Sequence, residues 1–375
     1  MRSGIVIAAT LSLLLLGWAM FRHPPQASPT RAELAPAPVA KGSDTRRRLL
    51  NDTSSVEPLV PPIESRQTIN TNTMERILKG EGLSVTLGQL EGYLQANKRD
   101  ASSLLAAYQA THERALLDEA IAKYPSDPRV AYTAWFRSQP DANDPSGLKV
   151  RREALDALKQ AAPDNAIANY LSAANYFRSG QTEQAIQEMQ AGAAKAKYDD
   201  YIQDAIQSMT EAYLAAGYPE AESKLAAMSG ALLPHLSELK QAGVSLVELA
   251  NSYRQAGDAA SAQAALQMGL DLGQRLDDPN SMTLIQTLVG IAVQRKALDA
   301  MAAMAPYAES SQTIQERINS LVQQREAIKA AVAAGATQTW LQTASAQDIS
   351  AYVDRERLFG ERNAMKWVAN RSTKE

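Results

Sequence analysis

The chain has 375 residues, 38 Lys plus Arg against 41 Asp plus Glu, a formal net charge of −3 and no cysteine. Near-balanced charge leaves no basic footprint for nucleic acid, and the missing cysteine excludes disulfides, thiolate catalysis, cysteine-ligated zinc and a lipid-bearing cysteine. Much of the 45% apolar content is alanine, which favours close-packed helices over sheet, so the expectation is all-α.

Taken in order, Ile5 to Phe21 is an apolar run without charge, with Arg2 before it and Arg22 after it. It has the minimal length for crossing hydrocarbon, and Trp18 suits an interface. A cleaved signal would show a small-x-small site, and the residues that follow offer no clear Ala-x-Ala, so residues 1–21 read as a signal anchor and transmembrane segment, with a cleaved signal as the alternative. Arg22, Arg31, Lys41 and Arg46 to Arg48 oppose a simple orientation. The expected topology is single-pass with the bulk exported, the periplasmic side of a bacterial inner membrane being favoured. Residues 22–73 hold eight of the seventeen prolines and no apolar periodicity, the composition of a disordered linker that cannot offset its ordering entropy.

Residues 74–335 carry helical patterning. Leu87, Leu90, Tyr93 and Leu94 mark one helix, and Asp100 is placed to cap another whose seam from Leu104 runs to Lys123. Pro163 to Lys197 reads as a helical hairpin. Ile167, Tyr170, Leu171, Ala174, Tyr176 and Phe177 share the face of its first helix, Asp164 stands as its cap, and Gly180 sits at the joint, where a left-handed residue is needed. Ala185, Ile186, Met189 and Ala193 line the second. Neither helix is stable alone, so each must bury its face on neighbours. Beyond Pro306 a longer amphipathic helix from Ile314 ends near Gly335. Residues 336–375 hold a last helix, begun by Ser345 with Asp348 in a capping-box pattern. It serves either as a cap on the solenoid end or as a docking helix.

Tyr176, Gly180 and Ala185 return as Tyr253, Gly257 and Ala262, and less completely as Tyr213, Gly217 and Ala221. This pattern resembles the tetratricopeptide repeat (TPR), with Ala173 and Ala250 as the small residues three before the aromatic and Pro125 closing an earlier unit. The departures are a longer period and Asn169 where a large residue is expected. The resemblance spans roughly residues 101 to 305 and implies a right-handed superhelix of stacked hairpins, a TPR-like α-solenoid. It also implies that the first helices line an inner wall that binds protein or peptide. Carried over, the wall comprises Tyr170, Ala174 and Phe177, then Gln207, Glu211 and Leu214, then Val247, Asn251 and Arg254; packing between units is the competing role for each.

His23, His112 and His235 lie far apart, and His112-Glu113 lacks the second histidine of a zinc-protease helix. No nucleophile elbow or phosphate loop is present, and carboxylate pairs such as Asp199-Asp200 read as caps or solvated charges. No metal, cofactor or catalytic residue is expected. The leading expectation is a membrane-tethered scaffold for another protein; a self-associating structural solenoid is the alternative, and an enzyme of unfamiliar chemistry comes third.

Overall fold

The computed structural model describes residues 71–78, 82–138, 145–301, 313–333 and 336–372. The expected anchor and almost the whole linker lie outside them. Among the described residues there is no strand, and no helix is long and apolar enough to cross a membrane. The described residues open with α1 (Thr71–Leu78), so the end of the expected linker is already helical, and α2 (Leu87–Ala96) follows.

The region expected as one helix from Asp100 to Lys123 is two. Asp100 does cap α3 (Ala101–Thr111), accepting from Ser103 N at 2.8 Å, but His112 takes a left-handed φ of 60° and restarts the chain as α4 (Arg114–Lys123). The pair α5 (Pro128–Arg137) and α6 (Pro145–Ala161) comes next, with Asp127 capping α5 through Arg129 N.

The hairpin at the centre of the sequence forms as α7 (Ile167–Arg178) and α8 (Thr182–Ala193). Asp164 does not cap it: the N-cap position is Ala166, and the side chain of Asn165 just before it accepts from Ile167 N at 3.2 Å. Gly180, Gly217 and Gly257 all adopt positive φ at hairpin joints, the conformation for which their lack of Cβ is needed. Ala173 and Ala250 are fully buried, as are Ala185 and Ala262 across the joints, so paired helices approach closely. Asn169, out of place for a TPR, donates to Glu188 at 2.6 Å, and Lys159 holds the same carboxylate. A polar tie there replaces apolar packing.

The remaining pairs are α9 (Ile202–Ala215) with α10 (Glu220–Ser229), α11 (Pro234–Gln255) with α12 (Ala259–Leu276), and α13 (Leu284–Ala300) with α14 (Ile314–Ala333). They do not stack in chain order. The hairpin α11–α12 packs on α7–α8, while α9 folds back onto α2 and α3. Asn165, fully buried, explains the diversion. Its amide donates to Asp199 O (2.7 Å) and Tyr201 Oη (3.0 Å), and its carbonyl accepts from Asp199 N (3.0 Å), pinning the α8–α9 connection against the start of α7. Tyr201 then takes φ 60°, a conformation unfavourable for a bulky residue, and turns the chain away. At the α12–α13 crossing a Cβ on Gly290 would lie 2.6 Å from Asp277 N and Gly273 O, so the backbones touch.

The expected last helix is broken. After α15 (Ala336–Thr343), Ser345 caps α16 (Ala346–Phe359) as its sequence implies, donating to Asp348 Oδ2 and accepting from Asp348 N. Gly360 at φ +81° ends it, and α17 (Glu361–Ser372) runs back along it. This hairpin packs on α10, whose other neighbours include α1; Met74 and Ile77 share a cluster with Leu225, Ile349, Tyr352, Val353 and Val368.

Candidate functional site: a cleft between two first helices

Because α7 and α11 are neighbours, their faces enclose a cleft of about 340 Å³, lined by Ala174, Phe177 and Arg178 from α7 and by Glu238, Gln241, Ala242 and Ser245 from α11. Its floor is the largest core cluster, to which Ala174 and Ala242 belong and against which Phe177 packs half-buried. Small residues on both helices open the space, and Phe177 supplies the apolar wall. Arg152 of α6 fixes the end of α7: its guanidinium lies 4.0 Å from the Tyr176 ring centroid and donates to Asn175, Ser179 and Gln181.

One carboxylate organises the polar side. Glu238 accepts from Arg178 at 2.6 Å and lies 3.5 Å from Arg151. Arg151 is buried, its guanidinium stands 5.0 Å from the Trp135 ring centroid and its Nε has no partner. Burial pulls its pKa below the usual guanidinium value. The cleft thus joins a hydrophobic wall to a guanidinium, a carboxylate, an amide and a hydroxyl, a set suited to a peptide segment. No protein-family profile, characterised protein or solved structure matches the chain.

The wall carried over from the resemblance is only partly assembled. Tyr170 is core: it is 1% exposed, and its ring lies where a Cβ on Gly192 of α8 would be, at 2.8 Å. Phe177 lines the cleft. Gln207, Glu211 and Leu214 are exposed, but on α9, in the diverted hairpin, where Gln207 donates to Glu211. Val247 packs against the cluster of Ala250 and Leu266, while Asn251 and Arg254 continue the exposed side of α11 and Arg254 donates to Ala300 O. The structure therefore sets Phe177 beside Glu238, Gln241 and Ser245 of α11, while Val247, Asn251 and Arg254 of the same helix lie outside the cleft lining and Gln207 and Leu214 lie on α9. Arg178, Glu238, Gln241 and Ser245 were missed; only adjacency of α7 and α11 reveals them, and that depends on Asn165.

A second polar group joins elements that look unrelated in sequence. Tyr132 Oη lies 2.8 Å from His235 Nδ1, and His235 Nε2 approaches Asp200 Oδ2 to 3.3 Å without the alignment of a hydrogen bond. Desolvation therefore outweighs mutual attraction: it raises the Asp200 carboxyl to about 6 and lowers the His235 imidazole to about 3. Asp200, one residue before the Tyr201 N-cap of α9, accepts from Ile202 N at 3.2 Å, and its other oxygen is buried rather than solvated. Among the described residues no cluster of three or more His, Asp or Glu side chains is placed to hold a metal ion.

Proposed function

We propose that this chain is a binding scaffold of TPR-like type, a right-handed stack in its α3–α8 and α11–α14 portions, that receives a protein or peptide partner in the α7–α11 cleft. Residues Ile5 to Phe21 tether it to a membrane and the linker holds the helical body on the extracytoplasmic side. The observation that carries the reading is the cleft itself, in which Phe177 is half-buried beside an ion pair at the mouth. Stacked hairpins with alanine at their close contacts and glycine at their joints support the TPR-like assignment.

Site-specific photo-crosslinking of the full chain in its host cells tests it. A photoreactive residue at Gln241, exposed on α11, should give a discrete adduct with a partner protein that Phe177→Ala weakens; the same probe at Gln207 on α9 should not. Equal adducts at both positions, or none at Gln241, would reject the cleft as the binding surface.

A further inference from the structure

We propose that the turn between α16 and α17 is a lipid-contacting tip that rests on an anionic bilayer surface. Leu358 and Phe359 are each 59% exposed, more than any other large apolar side chain among the described residues. They are adjacent, and Gly360 ends the helix immediately after them, so they stand at the turn between α16 and α17. The backbone behind them is held firmly. A Cβ added to Gly360 would lie only 3.3 Å from the Ser281 and Met282 carbonyl oxygens, Glu361 N donates to Met282 O at 2.9 Å, and Glu361 Oε2 accepts from Leu284 N at 2.8 Å.

The charges around the turn have one dominant sign. Arg355, Arg362 and Lys366 are exposed, and Arg357 is half-exposed. The acids nearby are engaged elsewhere: Asp354 pairs with Lys224, Asp348 with Arg371, and Glu361 caps α13. Glu356 is desolvated, which pushes its carboxyl up to about 8 and favours its neutral form. On the adjoining α12–α13 connection Asp277 accepts from Gln294 and Gln324, leaving Asp278 as the exposed acid. In a chain of net charge −3, four cationic side chains thus flank the two most exposed large apolar side chains among the described residues. A protein interface of ordinary stability covers on the order of 1,000 Å² or more; a two-residue tip offers far less. A deformable bilayer interface accepts a small exposed apolar tip, and arginine and lysine reach its anionic headgroups.

The absence of native cysteine makes a direct test available in the full chain. Leu358→Cys carries an environment-sensitive fluorophore, and Val150→Cys on α6, also exposed, carries the same probe as a control. Vesicles of phosphatidylcholine alone are compared with vesicles that also contain phosphatidylglycerol. The expected result is a blue shift of the probe at position 358 on the anionic vesicles only, reversed by high salt, with the probe at position 150 unmoved. Arg362→Gln with Lys366→Gln should lower the embedded fraction roughly 25-fold, about fivefold per basic side chain near an anionic surface. An unshifted probe at position 358, equal shifts at both positions, or equal shifts on neutral and anionic vesicles would each overturn the proposal. So would a shift that needs no vesicles and grows with protein concentration, which would assign the tip to a second copy. Flotation of the chain with every vesicle while the probe at position 358 stays unshifted would uphold the N-terminal anchor and still overturn the tip.

Discussion

Replacing Asn165 with alanine should be among the most damaging single polar substitutions in this fold. The side chain is fully buried and serves four hydrogen bonds, to Ile167 N, Asp199 N, Asp199 O and Tyr201 Oη, at 2.7 to 3.2 Å. At roughly 1 kcal/mol net for each, Asn165→Ala should cost about 4 kcal/mol, a large share of a typical domain's 5–15 kcal/mol or so. Urea unfolding followed by far-ultraviolet circular dichroism measures this, and the amides of Ile167 and Asp199 should gain fast hydrogen exchange while those of α3 keep their protection. Asn165→Asp separates the roles of the two ends: it keeps an acceptor, removes the donor and buries a carboxylate, so its defect should ease as the pH falls and that group protonates. A loss under about 1 kcal/mol for Asn165→Ala, with exchange at Asp199 unchanged, would refute the claim that this residue pins the connection.

Gly290→Ala drives a methyl group into backbone atoms of Asp277 and Gly273, and it should cost about 3 kcal/mol, seen as a lower urea midpoint. Gly360→Ala meets both a positive φ and the Met282 carbonyl, so it should loosen the α16–α17 hairpin by about 1–2 kcal/mol and open it to limited proteolysis. The Asp200–His235 pair sets opposing pH dependences. The raised Asp200 value gives stability that is present below about 3.8 and lost as pH rises through about 6; the depressed His235 value gives stability present above 6.5 and lost as pH falls towards 3. Between about pH 4 and 6 the two cancel, so His235→Gln, which removes one of them, should make stability fall with rising pH across that window relative to the parent chain. Parallel urea-midpoint profiles for the two proteins would contradict this.

What could be read from the sequence was local. Positive φ at Gly180, Gly217 and Gly257, and the caps at Asp100 and Ser345, follow from side-chain chemistry within a few residues, and the structure has them all. The alanine pattern likewise announced close helical pairing. The order of stacking was hidden because Asp199 and Tyr201, the distant partners of Asn165, lie more than thirty residues away in sequence and the turn at Tyr201 uses a conformation that tyrosine does not advertise. Tyr170 shows the limit of periodicity: a helical aromatic faces a ligand or a neighbour with equal regularity, and only Gly192 opposite it makes it core. The cleft inherits the same difficulty, since its two walls are joined only by that non-sequential stacking.

The shared cluster of α1, α10, α16 and α17 also sets a timetable for folding. Stacked hairpins ordinarily acquire their contacts as they are made, each on its predecessor. Here Met74 and Ile77 await Ile349, Tyr352 and Val368, about 290 residues later in the chain. At roughly 5–20 residues per second of synthesis, α1 waits up to about 15–60 seconds for the last of these partners, and the face of α10 that takes the final hairpin waits about 6–30 seconds. That interval gives a chaperone its opportunity on the nascent chain, and it makes the α16–α17 hairpin the step that closes this cluster.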